Sequence, residues 1–329
     1  MSKNSPIIEI KDLHVWYRTY GGFSKVLNGV NLYVDKGEKI GVVGEAGCGK
    51  TTTMRSILRI LPEGQSHTPQ GEILYHGKDI LKMDRKDLQH VRTSGVSMIF
   101  QEPSAALNPV FTVGTQIYDV IKYSEAGKGC SKEKIKQMAL QAIKEVMIPD
   151  PERIFDCYPN QLSGGMKQRI CIAMAIVTPR EVLIADEPGT ALDVTIQDQV
   201  HRTLKELVEK KGMSLIMITH SLGVARELTD RVYVMYAGNV VETARTQDLF
   251  ANPSHPYTRG LMSSVPRLAG GGLAEGIYGH IPDYLNPPQG CRFHPRCPQA
   301  KECCKRQKPP IVDLGNGHKV ACFLDAEVV

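Results

Sequence analysis

Residues 39–51, KIGVVGEAGCGKT, decide the fold of this chain. A short run rich in β-branched residues leads into residues 44–51, which follow the pattern G-x-x-x-x-G-K-[ST], and TMRSILRIL continues with helical spacing. In such a strand–loop–helix unit, glycines let backbone N–H groups turn inward around phosphate oxygens, and the helix N-terminus adds its positive dipole. The pattern predicts a phosphate-binding loop in which Lys50 reaches the β- and γ-phosphates of a nucleotide and the Thr51 hydroxyl binds Mg²⁺.

A pair of acids ends the apolar run VLIADE at residues 182–187. The carboxyl end of a parallel strand lies at the usual ligand crevice of an α/β sheet. Asp186 is therefore expected to hold Mg²⁺ through water, and Glu187 to polarise an attacking water. Acids that end a strand are also common as solvated turns, so it is their combination with the phosphate loop that favours a catalytic role.

Strand and helix patterns alternate along much of the chain, which implies a parallel α/β core. Strands are predicted at 7–16, 30–34, 39–43, 96–100, 182–186 and 214–219, and helices at 132–147, 166–177 and 195–211. After about Pro266 the chain becomes rich in Gly and Pro and loses its periodicity. This shift predicts two domains, residues 1–265 and 266–329.

Charge and hydropathy limit the partners. The net charge of +5 is mild for this length and forms no basic stripe of the kind that nucleic acid requires. Residues 1–6 are polar, no apolar signal region follows, and no apolar run approaches the roughly 18 residues of a membrane span. We therefore expect any membrane contact to be peripheral.

Five of the nine cysteines crowd the C-terminal end, at Cys291, Cys297, Cys303, Cys304 and Cys322. With no secretion signal the compartment is expected to be reducing, so this cluster indicates metal binding before disulfides. Four thiolates suit either a [4Fe–4S] cluster or a zinc site. The spacing alone does not choose between iron–sulfur, zinc and no metal.

Residues 162–168, LSGGMKQ, resemble the LSGGQ signature of ABC ATPases. Other motifs of that family occur in order: Tyr17 at the adenine-stacking position, Gln101 at the Q-loop, residues 191–193 at the D-loop and His220 at the switch histidine. The resemblance extends over residues 7–325. It implies a P-loop NTPase with a RecA-like parallel sheet core, an antiparallel β subdomain, a helical signature subdomain and a small irregular metal-binding C-terminal domain.

The resemblance also implies which residues form the site. Glu187, His220 and Gln101 would be catalytic, with Thr51 and Gln101 on Mg²⁺. In this family two ATPase domains dock head to tail, so that each signature contacts the γ-phosphate held by the partner. The nucleotide contacts would be Tyr17, Gly44, Glu45, Ala46, Gly47, Cys48, Gly49, Lys50, Thr51, Thr52, Gln101 and Asp186. The residues acting on the partner's nucleotide would be Ser163, Gly164, Gly165 and Asp193.

Some positions depart from the commonest form of these motifs. Ala46 and Cys48 stand where Ser is frequent, Gly189 where Thr is frequent, and Ser221 where Asp is frequent. The phosphate loop works through backbone groups, so hydrolysis is expected to survive these changes. A thiol at a helix N-terminus tends to have a lowered pKa. One hypothesis is therefore that thiol reagents inactivate the protein at Cys48 and that ATP protects it; a small residue tolerated in the loop is the simpler interpretation.

Residues 250–258, FANPSHPYT, and 290–298, GCRFHPRCP, resemble the oligopeptide/dipeptide importer branch of the ABC ATPases, as does the stretch 101–109. The resemblance implies a second, distinct ATPase subunit, two transmembrane permeases and an extracytoplasmic binding protein, with this chain at the cytoplasmic face of the membrane. Several members of the branch hold a [4Fe–4S] cluster at four cysteines that match Cys291, Cys297, Cys304 and Cys322, with Cys304 fitting the spacing better than Cys303. Peptides, oligosaccharides and nickel or other metal chelates stay open as cargo.

Two other functions remain as alternatives. One is an ABC ATPase that acts on nucleic acid or ribosomes, although such proteins usually carry fused ATPase domains, a coiled-coil insertion or basic tracts. The other is a regulatory subunit that binds ATP without hydrolysing it, which the presence of Glu187 and His220 disfavours.

Overall fold

The protein is described from a computed structural model, which covers residues 5–190, 192–264 and 276–326. The chain divides into two compact units. The first unit comprises residues 1–82 and 217–329, and the second comprises residues 83–216. The predicted boundary near residue 265 lies at the edge of a segment, 265–275, that is outside the described residues.

Short β-branched runs form strands throughout the described ranges. These strands are β1 (Ile8–Thr19), β2 (Gly22–Val34), β3 (Lys39–Val43), β4 (Ser66–His67), β5 (Glu72–Tyr75), β6 (Lys78–Asp79), β7 (Val96–Ile99), β8 (Val182–Asp186), β9 (Ser214–Ile218), β10 (Arg231–Tyr236), β11 (Asn239–Arg245), β12 (Ile311–Asp313) and β13 (Lys319–Ala321).

Helices of four to eighteen residues alternate with these strands in the described ranges. They are α1 (Lys50–Ile57), α2 (Arg85–His90), α3 (Pro103–Ala106), α4 (Val113–Lys122), α5 (Lys132–Glu145), α6 (Pro151–Asp156), α7 (Gly164–Ile176), α8 (Val194–Lys211), α9 (Leu222–Leu228), α10 (Thr246–Ala251), α11 (Pro256–Ser263), α12 (Glu302–Arg306) and α13 (Phe323–Ala326). None of them combines the length and the apolar character that a membrane-spanning helix requires.

The first unit contains the predicted antiparallel β subdomain. Its sheet runs in the order β2-β1-β5-β6, with β4 beside β1. Ile8 pairs with Val34 on one side and with Tyr75 on the other. Ile8 and Ile10 of β1 are buried with a period of two, and the alternation resumes with Leu13 and Val15 after a shift of register between Ile10 and Leu13.

A mixed sheet lies behind the phosphate loop in the same unit. β3 pairs with β10 in parallel, and β10, β11, β13 and β12 continue as antiparallel neighbours. This part of the sheet is therefore mixed, and its strands β10 to β13 were not among those predicted from the sequence. β12 and β13 belong to the C-terminal segment, so that segment extends a sheet of the first unit.

The C-terminal segment also shares the hydrophobic core of the first unit. Phe293 is buried against Tyr236 and Tyr257, with ring centroids 5.0 and 5.4 Å apart. Cys291 and Cys297 are partly buried against the same cluster. The structure therefore does not support the predicted small irregular C-terminal domain, because the described part of the segment packs on the core beside the phosphate loop.

In the second unit, two parallel strands are accompanied by a helical region. β7 and β8 pair with Val96 opposite Val182, and every residue of β8 is buried. Thr112 and Ser131 cap the N-termini of α4 and α5 through their hydroxyl oxygens, which accept backbone N–H groups. Helices α4, α5 and α6 pack on one another, and α4 and α5 also contact α7. Helices α5 and α7 lie where the sequence predicts helices, at 132–147 and 166–177.

Candidate functional site

The phosphate loop takes the backbone torsions that its glycines permit. Gly44 has φ 151° and Gly49 has φ 105°, both in the region that side chains disfavour. A β-carbon on Gly44 would lie 2.2 Å from the Met235 carbonyl oxygen, so a larger residue cannot occupy this position without displacing β10. Gly49 is the N-cap of α1, which places the loop at the N-terminal end of that helix.

Lys50 is buried at the centre of this loop. Its side chain donates to the carbonyl oxygens of Gly44, at 2.7 Å, and Glu45, at 3.0 Å, and the residue is 5% exposed. A buried ammonium needs such partners, because burial without them costs several kcal/mol. The loop therefore carries a positive charge where the sequence predicts the β- and γ-phosphates.

Cys48 does not have the lowered pKa that its place before a helix suggests. It is fully buried, and burial raises the pKa of its thiol. The nearby Lys50 ammonium acts in the opposite direction but is the smaller influence. Burial therefore counts against a reactive thiolate at Cys48 and favours the simpler interpretation of a small residue tolerated in the loop.

Tyr17 and Thr52 meet next to the loop. The Tyr17 hydroxyl, on β1, donates to the Thr52 hydroxyl oxygen of α1 at 3.4 Å, and both residues are partly buried. The Tyr17 ring is thus held by the helix that follows the phosphate loop. This position suits the predicted contact with an adenine ring.

His220 follows β9 at the same edge of the first unit. The preceding Thr219 N–H donates to the carbonyl oxygen of Val42, two residues before the loop begins, at 3.3 Å. His220 is exposed. Ser221, where Asp is frequent in the family, caps α9 by accepting the Val224 N–H, so the substitution preserves the capping function.

Three residues near the C-terminus bind the phosphate loop, and sequence reasoning missed them. The Glu45 N–H donates to the Tyr257 hydroxyl oxygen at 2.9 Å. The Glu45 carboxylate forms an ion pair with Arg296 at 3.0 Å. The Tyr284 hydroxyl donates to the Gly47 carbonyl oxygen at 2.7 Å. Of the three, Tyr257 and Arg296 lie in stretches that stand out in the sequence, FANPSHPYT and GCRFHPRCP. No local rule pairs these residues with a loop more than 200 residues earlier.

In the second unit, Glu187 is held at the end of β8. Its carboxylate accepts hydrogen bonds from the Gln101 amide at 3.1 Å and from the Thr190 hydroxyl at 3.0 Å. Glu187 has φ 46°, a torsion that costs a side-chain-bearing residue energy and is concentrated at functional sites. Asp186, the last residue of β8, is 1% exposed. Gln101 and Glu187, predicted as catalytic, thus lie together; the Thr190 contact was not predicted.

The signature residues begin a helix. Ser163 is the N-cap of α7, and its hydroxyl oxygen accepts the Met166 N–H at 3.3 Å. Gly164 and Gly165 form the first turn. A β-carbon on Gly165 would lie 2.8 Å from the Ile196 side chain of α8, which explains the glycine. Ser163 and this turn lie at the N-terminal end of a thirteen-residue helix, the kind of helix end that can bind an anion.

Gly189 and Asp193 have local explanations in the same unit. A β-carbon on Gly189 would lie 2.5 Å from Gln197, so the threonine that is frequent at this position would not fit. Asp193 caps α8 by accepting the Ile196 N–H at 3.0 Å and is exposed. Ala191 of the predicted D-loop lies outside the described residues.

The four predicted cysteine ligands line one small cavity of the first unit. Cys291, Cys297, Cys304 and Cys322 border it together with Phe293, and its volume of about 20 Å³ is room for one water molecule. Of the described residues, no three His, Cys, Asp or Glu side chains gather closely enough to hold a single metal ion. Burial raises the pKa of the Cys291 and Cys322 thiols to about 11. The structure therefore does not support the predicted metal-binding domain as such, although it does bring the four thiols to one cavity.

Comparison with known proteins matches both parts of the chain. Residues 27–190 match the ABC transporter family, and residues 241–304 match the oligopeptide/dipeptide transporter C-terminal region. The chain is 42% identical to the oligopeptide transport ATP-binding protein OppD of Bacillus subtilis, over 98% of this chain and 90% of that protein. It is 43% identical to the dipeptide transport ATP-binding protein DppD of the same organism, over 97% and 94%.

Solved structures give the same assignment. The dimeric ABC transporter cassette MJ0796, bound to ADP and Pi in a post-hydrolysis state, superposes with a TM-score of 0.65 at 26% identity, over 73% of this chain and 98% of that one. The fold and the phosphate loop define an ABC ATPase. The chain belongs to the ATP-binding proteins of ABC transporters, in the oligopeptide/dipeptide branch.

Proposed function

We propose that this chain is the ATP-hydrolysing subunit of an ABC importer that takes up di- and oligopeptides or related small solutes. The observation that carries the proposal is the Glu187 carboxylate, fixed by Gln101 and Thr190 directly after the buried Asp186. A site that only bound nucleotide would have no need of a carboxylate held in a strained backbone torsion. The printed names of the relatives, which are peptide transport ATP-binding proteins, support the cargo class.

The residues of the chain have distinct roles in the proposed reaction. Lys50 and the loop N–H groups bind the β- and γ-phosphates, and Tyr17 stacks on adenine. Thr51 and Asp186 offer the oxygen donors that Mg²⁺ prefers, and Mg²⁺ would neutralise the phosphate charge. Glu187 accepts a proton from the attacking water. His220 donates a hydrogen bond to the γ-phosphate.

The signature residues complete the site of a partner ATPase. Ser163, Gly164 and Gly165 present a hydroxyl and helix N–H groups to solvent, a second anion-binding end that this chain's own phosphate loop does not supply. Asp193 would accompany them. We propose that a second, related ATPase subunit docks head to tail and that its bound γ-phosphate occupies this end.

Exposed apolar residues after Gln101 suit a membrane partner. Val110 is 69% exposed and Phe111 50% exposed, in the stretch that follows the proposed Q-loop. Exposed apolar side chains of this size favour burial in an interface. We propose that this surface binds one of two transmembrane permeases, which places the chain peripherally at the cytoplasmic face of the membrane, with an extracytoplasmic binding protein in the full complex.

A pull-down from native membranes tests the proposal. Affinity-tagged protein is expected to recover two multi-span permeases and a second ATPase, and the associated binding protein identifies peptide, oligosaccharide or metal-chelate cargo. A Val110→Asp/Phe111→Asp variant should lose the permeases while still binding ATP, whereas Tyr20→Asp, which changes an exposed residue in the turn after β1, should keep them. Recovery of nucleic-acid-processing proteins without permeases would contradict the proposal.

We further propose that the four cysteines at this cavity bind a [4Fe–4S] cluster, for which they would have to open the space between them, since it now has room for one water molecule. Four thiols line it, and Cys304 rather than Cys303 is among the described lining residues. A zinc site needs four sulfurs within about 2.3 Å of one ion, a tighter grouping than the described side chains form. A four-iron cluster instead takes thiolates around a larger body. The buried thiols have raised pKa values, and iron would supply the positive charge that stabilises their thiolates.

Two neighbouring cysteines give a matched test of the cluster. Protein purified without oxygen is expected to be brown and to contain about four irons and four acid-labile sulfides per chain. Cys304→Ser should lose most of this iron, whereas Cys303→Ser should keep it. Colourless protein that lacks both iron and sulfide would end the proposal, and equal iron in the two variants would contradict the ligand assignment.

A further inference from the structure

The C-terminal segment touches the phosphate loop directly, which nucleotide chemistry does not require. Arg296 reaches both oxygens of the Glu45 carboxylate, at 3.0 and 3.1 Å. Tyr284 donates to the carbonyl oxygen of Gly47 at 2.7 Å. Glu45 and Gly47 are the second and fourth residues of the loop, so the segment holds the loop at two points along its length.

A second route connects the same segment to the loop through a turn. Arg292 donates to the Ala237 carbonyl oxygen at 2.7 Å and to the Lys25 carbonyl oxygen at 3.0 Å. The next residue of the turn, Gly238, donates its N–H to the Cys48 carbonyl oxygen at 2.8 Å. Both arginines between Cys291 and Cys297 thus act on the loop, one directly and one through the β10–β11 turn.

Burial and hydrogen bonds hold the Arg296 side chain rigidly against Glu45. The side chain is 6% exposed, and besides Glu45 it donates to the carbonyl oxygens of Ile277 and Tyr278 at 2.9 and 2.8 Å. A guanidinium that is buried and hydrogen-bonded at each of its three nitrogens has few alternative positions. Since the Glu45 side chain is only 29% exposed, its carboxylate is fixed in turn.

The Tyr284 contact orients a peptide group of the loop. A peptide is planar and trans, so the Gly47 carbonyl and the Cys48 N–H point in opposite directions. With the carbonyl bound to Tyr284, the Cys48 N–H turns towards the Glu45 carbonyl oxygen, 3.3 Å away across the loop. Gly47 has φ 78° and no side chain to restrict its backbone torsions. The hydrogen bond from Tyr284 therefore restricts a residue that would otherwise be free to change its conformation.

We propose that Tyr284 and Arg296 are positioning residues that hold the phosphate loop in its nucleotide-binding conformation, so that the cysteine-bearing C-terminal segment sets the affinity for MgATP. A loop that is already ordered loses less entropy on binding phosphate. Neither residue bonds an atom that the proposed reaction changes: Arg296 acts through the Glu45 carboxylate, and Tyr284 acts through the Gly47 carbonyl group. The inference rests on nucleotide binding at this loop and goes beyond the transport role.

The expected kinetic signature is a higher KM with a nearly unchanged kcat. Loop order strengthens the bound ground state and the transition state equally, and loss of such uniform binding appears in KM alone. A purely structural role would lower the melting temperature and leave the affinity of the folded protein unchanged. These two signatures separate the proposal from simple stabilisation.

Two tyrosines of the same segment provide the experiment. In the full-length chain, binding of a fluorescent ATP analogue with Mg²⁺ is expected to weaken about fivefold in Tyr284→Phe, the effect of one hydrogen bond. Tyr278→Phe, at a side chain that is 88% exposed, should bind like the parent. Circular dichroism and the melting temperature confirm folding of each variant. Parental affinity in folded Tyr284→Phe would overturn the Tyr284 role, whereas a parent chain that binds no ATP would instead overturn the proposed function.

The ion pair is tested by a double-mutant cycle. Glu45→Gln is expected to weaken nucleotide binding about tenfold, because it removes a charge-assisted contact while keeping the side-chain shape. In an Arg296→Gln background, which removes the positive charge, the same change should have a much smaller effect, since the two residues act as one unit. Additive effects of the two substitutions, or parental affinity in folded Glu45→Gln, would overturn the role of Arg296.

Discussion

Replacing Glu187 by glutamine is expected to lower ATP turnover by about two to four orders of magnitude while leaving ATP binding close to that of the parent. The amide keeps the size of the carboxylate, and its oxygen can still accept a hydrogen bond from Gln101 or Thr190, which hold the parent side chain at 3.1 and 3.0 Å. It cannot accept a proton from water. The measurement is phosphate release beside equilibrium binding of a fluorescent ATP analogue.

A matched control separates this effect from a general loss of charge. Glu206 is exposed on α8 of the same unit, and Glu206→Gln should hydrolyse ATP like the parent. Near-normal phosphate release in Glu187→Gln would refute its role as the base. Loss of binding in that variant would instead give Glu187 a role in nucleotide binding.

Regular elements with local patterns could be predicted from the sequence. Helix α5 was predicted at 132–147 and spans Lys132–Glu145, because its apolar period is clear and Ser131 supplies a cap. Helix α8 was predicted at 195–211 and spans Val194–Lys211, with Asp193 as cap and Gly212 at its end. Strands β3 and β8 are short runs of mostly apolar residues, and both lie where the sequence predicts strands. In each case the determining interactions lie within a few residues.

The β10–β11 hairpin was missed because its turn lacks the usual residues. Ala237 and Gly238 have φ 44° and 77°, the torsions of a turn that normally favours Asn-Gly or Asp-Gly. Alanine at the first position hides that pattern. Gly238 is required by a tertiary contact, since a β-carbon there would lie 1.9 Å from the Val26 carbonyl oxygen. The spacing of residues in the sequence does not reveal this contact between Gly238 and Val26.

The errors at the site share a physical cause. A helix N-terminus predicts a lowered thiol pKa at Cys48, but burial by distant parts of the chain dominates and raises it. Arg296 and Tyr284 reach the loop from more than 200 residues away, so no local rule could pair them with it. The chemistry of the motifs could thus be predicted from the sequence, whereas the environment that tunes it is set by tertiary packing.

Replacing Lys50 by methionine is expected to weaken MgATP binding by about 2–5 kcal/mol, which is about 30- to 5,000-fold in Kd. Methionine retains most of the side-chain length. It removes the ammonium that, among the described residues, is the only charged group donating to the carbonyl oxygens of Gly44 and Glu45. Lys36→Met changes an exposed lysine of the same unit and should bind ATP like the parent. Parental affinity in Lys50→Met would mean that backbone N–H groups and Mg²⁺ suffice to hold the phosphates. The expected loss would instead show that the buried Lys50 ammonium is the main partner of the negative phosphates. The Gly44 and Glu45 carbonyl oxygens hold this ammonium in place at 2.7 and 3.0 Å.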